Sequence, residues 1–263
     1  MSPHEWLAIL FFAHLFVAAL VLRRMPFVRR VSVIAGAVAA TAAVVAISRA
    51  DSRALREWAP IGYILAAYYL SGRTFFSPMP RVEAWLMAIE RRVLGDPARF
   101  SRWPAVAIRL FDAAYIGCFL LVPGGLILLK AAGHGERWGH YWTLVLGAEL
   151  AAFAALPYLQ TRPPWVLERL AERRAAGGRS PSVVYMQVAT TGANTLPSGH
   201  AAGSFAVAFA VMETLPFEGT WLLILAIAIS AAAVVTRAHF FVDVASGVAL
   251  ASIIWWLARA GGV

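Results

Sequence analysis

The sequence predicts an all-α fold: a polytopic transmembrane helix bundle of six to eight spans, with an amphipathic interfacial helix around residues 80–95. Three observations predict it. Hydrophobic residues fill 60% of the 263 positions and charged residues only 14%, far from the balance of a soluble domain. Apolar stretches near the roughly 20 residues needed to cross a hydrocarbon core recur along the chain. The arginines gather where those stretches end, as anchoring side chains do.

The first stretch runs from about Trp6 to Leu22 and is followed, not preceded, by Arg23, Arg24, Arg29 and Arg30. That charge order is the reverse of a cleaved signal peptide and predicts a retained span. Further spans are predicted from Val31 to Ser48, Ala59 to Gly72, Ala105 to Leu129 and His140 to Leu159. Between Arg73 and Pro104 the pattern changes to mixed charge, with Trp85, Leu86, Ile89, Val93 and Leu94 at helical spacing. This reads as a helix lying on the membrane surface, and equally as a packed connecting helix. A polar excursion from Thr161 to Leu196 follows, opened by Pro163 and Pro164 and carrying Gly177 and Gly178. Three more spans are predicted from Gly199 to Leu215, Trp221 to Val235 and Phe240 to Ala258. Residues 1–56 read as N-terminal transmembrane helices and 57–263 as the main membrane domain.

Lys and Arg number 23 against 14 Asp and Glu. In a membrane protein that excess belongs to loops and anionic headgroups. No basic run is interleaved with aromatics as a nucleic-acid surface requires, so no nucleic-acid partner is expected. The single Cys118 excludes an intramolecular disulfide.

Polar residues in or beside spans are expensive unless paired or functional. Three clusters stand out: Thr161-Arg162-Pro163-Pro164-Trp165, Leu196-Pro197-Ser198-Gly199-His200, and Thr236 to Asp243 with Arg237 and His239. If the fifth span ends on one face, the sixth starts there and the seventh ends there, so alternation brings all three together. His239 and Asp243, four apart, share a face if helical, and the carboxylate can fix the imidazole tautomer. Ser198, Gly199 and His200 stand at a helix start, where backbone N–H groups favour phosphate. Arg162 and Arg237 suit bidentate contact with phosphate oxygens. Taken singly, each cluster is also explained by helix capping or membrane anchoring. Arg109 with Asp112, and Glu149 midway along the fifth span, read first as structural pairing and second as lining near a headgroup pocket, and are left out of the site.

The succession Arg162-Pro163, Pro197-Ser198-Gly199-His200, then Arg237, His239 and Asp243 resembles the three-part signature of the type 2 phosphatidic acid phosphatase (PAP2) superfamily. Ala155 stands where that signature has a lysine, and Ala233 where it has an arginine, with Arg237 instead two before the histidine. The compact third cluster and the Pro163-Pro164-Trp165 run look more like the inositol phosphorylceramide synthase and sphingomyelin synthase branches, which transfer a headgroup between lipids. The resemblance implies His239 as nucleophile, Asp243 as its orienting group and His200 as the acid, with Arg162, Ser198, Gly199 and Arg237 on the phosphate. It implies no metal and no cofactor, a lipid phosphate or phospholipid substrate, and an alcohol such as inositol as an alternative acceptor to water. A transporter or flippase for a phospholipid-like anion would use the same residues as a binding site, and a membrane scaffold would need none of them. The expected location is the bacterial inner (cell) membrane. With eight spans the site side carries sixteen Lys or Arg and the opposite side six, which points to the cytoplasmic face. The resemblance implies the outer or lumenal face instead.

Overall fold

The computed structural model describes residues 1–96, 99–100, 103–168 and 190–261. Most of the predicted polar excursion, including the Gly177–Gly178 pair and the Arg169–Ser180 loop, lies outside the described residues. Among the described residues there are ten α-helices and no strand: α1 (Pro3–Val21), α2 (Phe27–Ser48), α3 (Arg53–Arg73), α4 (Pro80–Leu94), α5 (Ala105–Ala131), α6 (Trp138–Ala154), α7 (Pro164–Leu167), α8 (Gly199–Met212), α9 (Pro216–Val235) and α10 (Phe241–Ala260). Eight of them correspond one for one to the predicted spans. Five, namely α1, α2, α5, α9 and α10, are long and apolar enough to cross a membrane.

Local chemistry sets the boundaries. Glu5 accepts from the Ser2 amide at 2.7 Å, and Pro3 opens α1, a reciprocal cap at a position that needs no N–H. α3 begins six residues earlier than its apolar run. Its polar first turn is used in ion pairs, Glu57 with Arg53 and Lys130, and Arg56 with Glu5. α6 stops at Ala154, short of the predicted Leu159, because Pro157 lacks an N–H and its ring clashes with the preceding turn. Pro216 likewise ends α8 early and starts α9 five residues before Trp221.

At the centre stand α6 and α8. α8 packs on α5, α6, α9 and α10, while α6 also meets α1 and α3. Small residues allow this close approach. A Cβ added at Gly199 would lie 2.6 Å from the Phe153 ring, and one at Gly247 of α10 would lie 2.6 Å from the Ser198 carbonyl oxygen. The N-terminal helices are part of the same bundle: α1 packs on α2, α3 and α6.

The helix predicted around 80–95 forms as α4, with its apolar positions divided between two faces. Trp85 and Val93 point outward at 52% and 51% exposure, whereas Glu83, Leu86 and Glu90 are buried. Positions 83, 86 and 90 follow helical spacing, so one acidic stripe faces the protein.

Candidate functional site

The three polar clusters meet at one end of the bundle. Thr161 and Asn194 form an isolated antiparallel bridge, Trp165 donates its amide to the Arg237 carbonyl at 3.0 Å, and Ser198 donates its amide to the Asp243 carbonyl at 2.8 Å. Each link is main-chain, so the convergence is fixed by backbone as well as by side chains.

His200 lies in the first turn of α8. Ser198 is the N-cap, its hydroxyl accepting from the Ala201 amide at 3.4 Å, and Thr195 accepts from the Gly199 amide at 3.4 Å. The predicted phosphate donors are therefore engaged in holding the helix start. The His200 ring stacks on Tyr115 at 4.9 Å and meets Phe119 edge-on at 5.9 Å. Its Nε2 is buried with no hydrogen-bond partner among the described residues.

His239 sits in the turn between α9 and α10. α9 ends at Thr236, Arg237 takes the left-handed conformation with φ of 64°, and the His239 amide folds back onto the Ala233 carbonyl at 3.0 Å. His239 and Asp243 do not share a helix face. Phe240 is the extended N-cap of α10, so His239 precedes the helix. Asp243 turns back to accept from the Phe240 amide at 2.8 Å with the same Oδ2 that lies 3.5 Å from His239 Nδ1. The cap competes with the histidine for that oxygen, and Oδ1 is left buried without a partner among the described residues.

Asn194 makes the closer contact, its Oδ1 lying 3.0 Å from His239 Nδ1. Its Nδ2 donates to the Thr161 hydroxyl at 3.1 Å, and its amide donates to the Thr161 carbonyl at 2.8 Å. With the amide nitrogen so committed, the oxygen faces the ring, and Nδ1 of His239 is the donor. Nε2 is then the unprotonated nitrogen. It points at His200 Nδ1, 3.3 Å away.

Both predicted arginines are paired with carboxylates. Arg162 binds Glu83 through its backbone amide (2.8 Å), Nε (3.0 Å) and Nη2 (2.7 Å). Arg237 makes a two-bond fork on Glu90, at 2.9 and 2.7 Å, and a second on Glu168, at 3.1 and 2.6 Å. Burial pulls the Arg237 guanidinium down, but the two carboxylates outweigh it and hold it above its ordinary value. Burial pushes Glu83 up, and the Arg162 bonds outweigh that and hold its carboxyl below the usual range. A non-glycine residue at positive φ costs on the order of 1–2 kcal/mol. The buried Glu90 fork offsets it at Arg237.

Beneath the two histidines lies a cavity of about 350 Å³. His200 and His239 stand at its head. Leu65 and Tyr69 of α3, Phe119 of α5 and Glu149 of α6 are among its walls. Gly199 borders it, while Arg162, Ser198, Arg237 and Asp243 are not part of its lining. Among the described residues no three His, Cys, Asp or Glu side chains converge as a metal site.

Asn194, Glu83 and Glu90 escaped the sequence reading. Asn194 lay in a polar loop without a periodic frame, though its position three before Pro197 was a signal. Glu83 and Glu90 were seven apart on α4, a same-face spacing that marks them as a pair. Glu149, visible as a carboxylate inside an apolar span, lines the cavity, which was the second of its two readings, behind structural pairing.

Neither curated proteins nor solved structures yield a match to this chain. A family model described as the PAP2 superfamily matches residues 84–257, about two thirds of the sequence, running from α4 almost to the end of α10 and taking in all three clusters. By that match and by the histidine-bearing clusters it spans, the chain belongs to the PAP2 superfamily.

Proposed function

We propose that this protein is an integral membrane enzyme that removes or transfers a phosphate-bearing group of a lipid through a phosphohistidine on His239. One observation carries the reading: the imidazoles of His239 and His200 face each other at 3.3 Å at the head of an apolar cavity. A nucleophile and a proton carrier need that proximity, and a lipid tail needs that cavity.

The chemistry follows from the tautomers. Nε2 of His239 attacks phosphorus, the ester oxygen departs with a proton from His200, and the phosphoryl group is left on His239. Water or an alcohol such as inositol then attacks phosphorus, its proton passing to His200 as the His239–phosphorus bond breaks. Asn194 and Asp243 at Nδ1 orient the ring throughout. A phosphoryl group between the two nitrogens separates them by several Å, so the His200 ring turns away from its present contact as substrate enters. The positive end of α8 takes a phosphate oxygen at the Gly199 amide, whose bond to Thr195 is long at 3.4 Å. Ser198 supports that turn as its cap. Arg162 and Arg237 reach phosphate by exchanging a glutamate carboxylate for it, an exchange of one anionic partner for another.

The test is phosphate release from a lipid monophosphate by purified protein in mixed micelles, with and without inositol. His239→Ala should abolish release, and an acid-labile phosphoryl label should appear on the wild type alone. Release retained by His239→Ala would sink the proposal. Free phosphate as the sole product identifies hydrolysis, and inositol phosphate formed in the presence of inositol identifies transfer.

A further inference from the structure

The cavity has a second polar pole that the histidine chemistry leaves unused. Glu149 of α6 is 8% exposed and borders the same cavity as His200 and His239. Among the described residues it has neither a hydrogen bond nor an ion pair, whereas Glu5, Glu57, Glu83, Glu90 and Glu213 are each tied to arginine, lysine or histidine. An unfilled carboxyl group inside an apolar bundle is costly unless it meets a partner some of the time. Gly203 of α8 makes room for it. A Cβ there would lie 2.1 Å from Glu149 Oε1. Ser204, the next residue on α8, also lines the cavity, but its hydroxyl proton is committed to the His200 carbonyl at 2.6 Å.

Gly203 and His200 are three residues apart on one helix, about 4.5 Å along the axis at a rise of roughly 1.5 Å per residue. The carboxyl group thus lies about one turn deeper than the site of phosphoryl transfer. That is the separation between a phosphate ester and the next polar group of a short alcohol backbone.

We propose that Glu149 recognises a hydrogen-bond donor, a hydroxyl or an amide N–H, on the backbone of the substrate lipid next to the phosphate-bearing carbon. The inference rests on the phosphoryl-transfer reading above and adds a substrate class to it. A site built to bond a donor discriminates against the analogue that lacks it, because the buried group is then left unpaired.

The experiment compares two lipids in mixed micelles: a monoacylglycerol phosphate with a free hydroxyl beside the phosphate-bearing carbon, and its counterpart with hydrogen in that place. The wild type is expected to favour the hydroxyl-bearing lipid by about tenfold or more in kcat/KM. Glu149→Leu should bring the two lipids to within about twofold, and Glu149→Gln, which keeps an acceptor oxygen, should retain part of the preference. Gly203→Ala, which displaces the carboxyl group without removing it, should act like Glu149→Leu and serves if that variant fails to fold. A wild type that turns over both lipids equally overturns the Glu149 assignment and leaves the histidine chemistry standing. So does a Glu149→Leu variant that loses both activities in the same proportion. A wild type that neither releases phosphate from either lipid nor transfers it to added inositol overturns the enzymatic reading and the substrate assignment with it.

Discussion

His239 is held at Nδ1 by a neutral amide at 3.0 Å and by a carboxylate at 3.5 Å. The two partners have different consequences. Asn194 fixes the tautomer without favouring the charged ring, while Asp243 favours positive charge on the ring, as the proposed phosphohistidine would carry. Asn194→Ala should therefore lower kcat by about tenfold, roughly 1.4 kcal/mol, since Asp243 still orients the ring in part. Asn194→Asp should move the acid limb of the kcat/KM profile to higher pH, because a second carboxylate favours the protonated imidazole and the nucleophile must be neutral. A pH profile unchanged in Asn194→Asp would show that this contact does not govern the histidine. Sequence spacing led to Asp243 and not to Asn194. A four-residue separation has a geometric meaning on a helix, whereas the Thr161–Asn194 bridge joins positions 33 apart and leaves no local trace.

α4 connects to the site through two glutamates on one face. Glu90 holds the buried Arg237, and Glu83 holds Arg162, whose side chain is 39% exposed. Glu90→Ala leaves the buried Arg237 with Glu168 as its carboxylate partner, so it should cost about 2 kcal/mol, read as a lower thermal midpoint in micelles. The more exposed pair is worth less, and Glu83→Ala should cost no more than about 1 kcal/mol. The Glu83 carboxyl is held below its ordinary 4.5. Its contribution is complete above that pH and is lost as pH falls through the lowered folded value. Acid unfolding of Glu83→Gln below pH 4.5 should accordingly be shallower than that of the wild type. At the crossing of α8 and α10, Gly247→Ala meets a main-chain oxygen that cannot turn aside. Forcing these helices apart should cost about 1–3 kcal/mol and strain the Ser198–Asp243 link. The existence of α4 was legible from its charge pattern. Its orientation was not, because the spacing left a surface helix and a packed helix equally open, and the arginines of two distant loops draw the acidic side in.

Across the molecule, hydrophobic run length identified all eight long helices, and alternation brought the polar clusters to one end. What run length missed were the polar first turn of α3 and the early stop of α6, one decided by ion pairs and the other by a single proline. The charge tally over loops is likewise reinterpreted: several of those cations are staples, with Arg56, Lys130 and Arg137 bound to acids at one end and Arg162 and Arg237 at the other. The walls of the cavity include Leu65 and Tyr69 of α3, each 50% exposed, and Phe119 of α5, 44% exposed. α3 and α5 pack on α6 more than on each other, so the rim between them is apolar and faces the surrounding lipid. A substrate arriving through that rim searches in two dimensions. Its driving quantity is then its mole fraction in the bilayer or micelle, not its amount per litre. Diluting it with inert detergent at fixed bulk concentration should slow turnover in proportion, while raising both together should leave the rate almost flat.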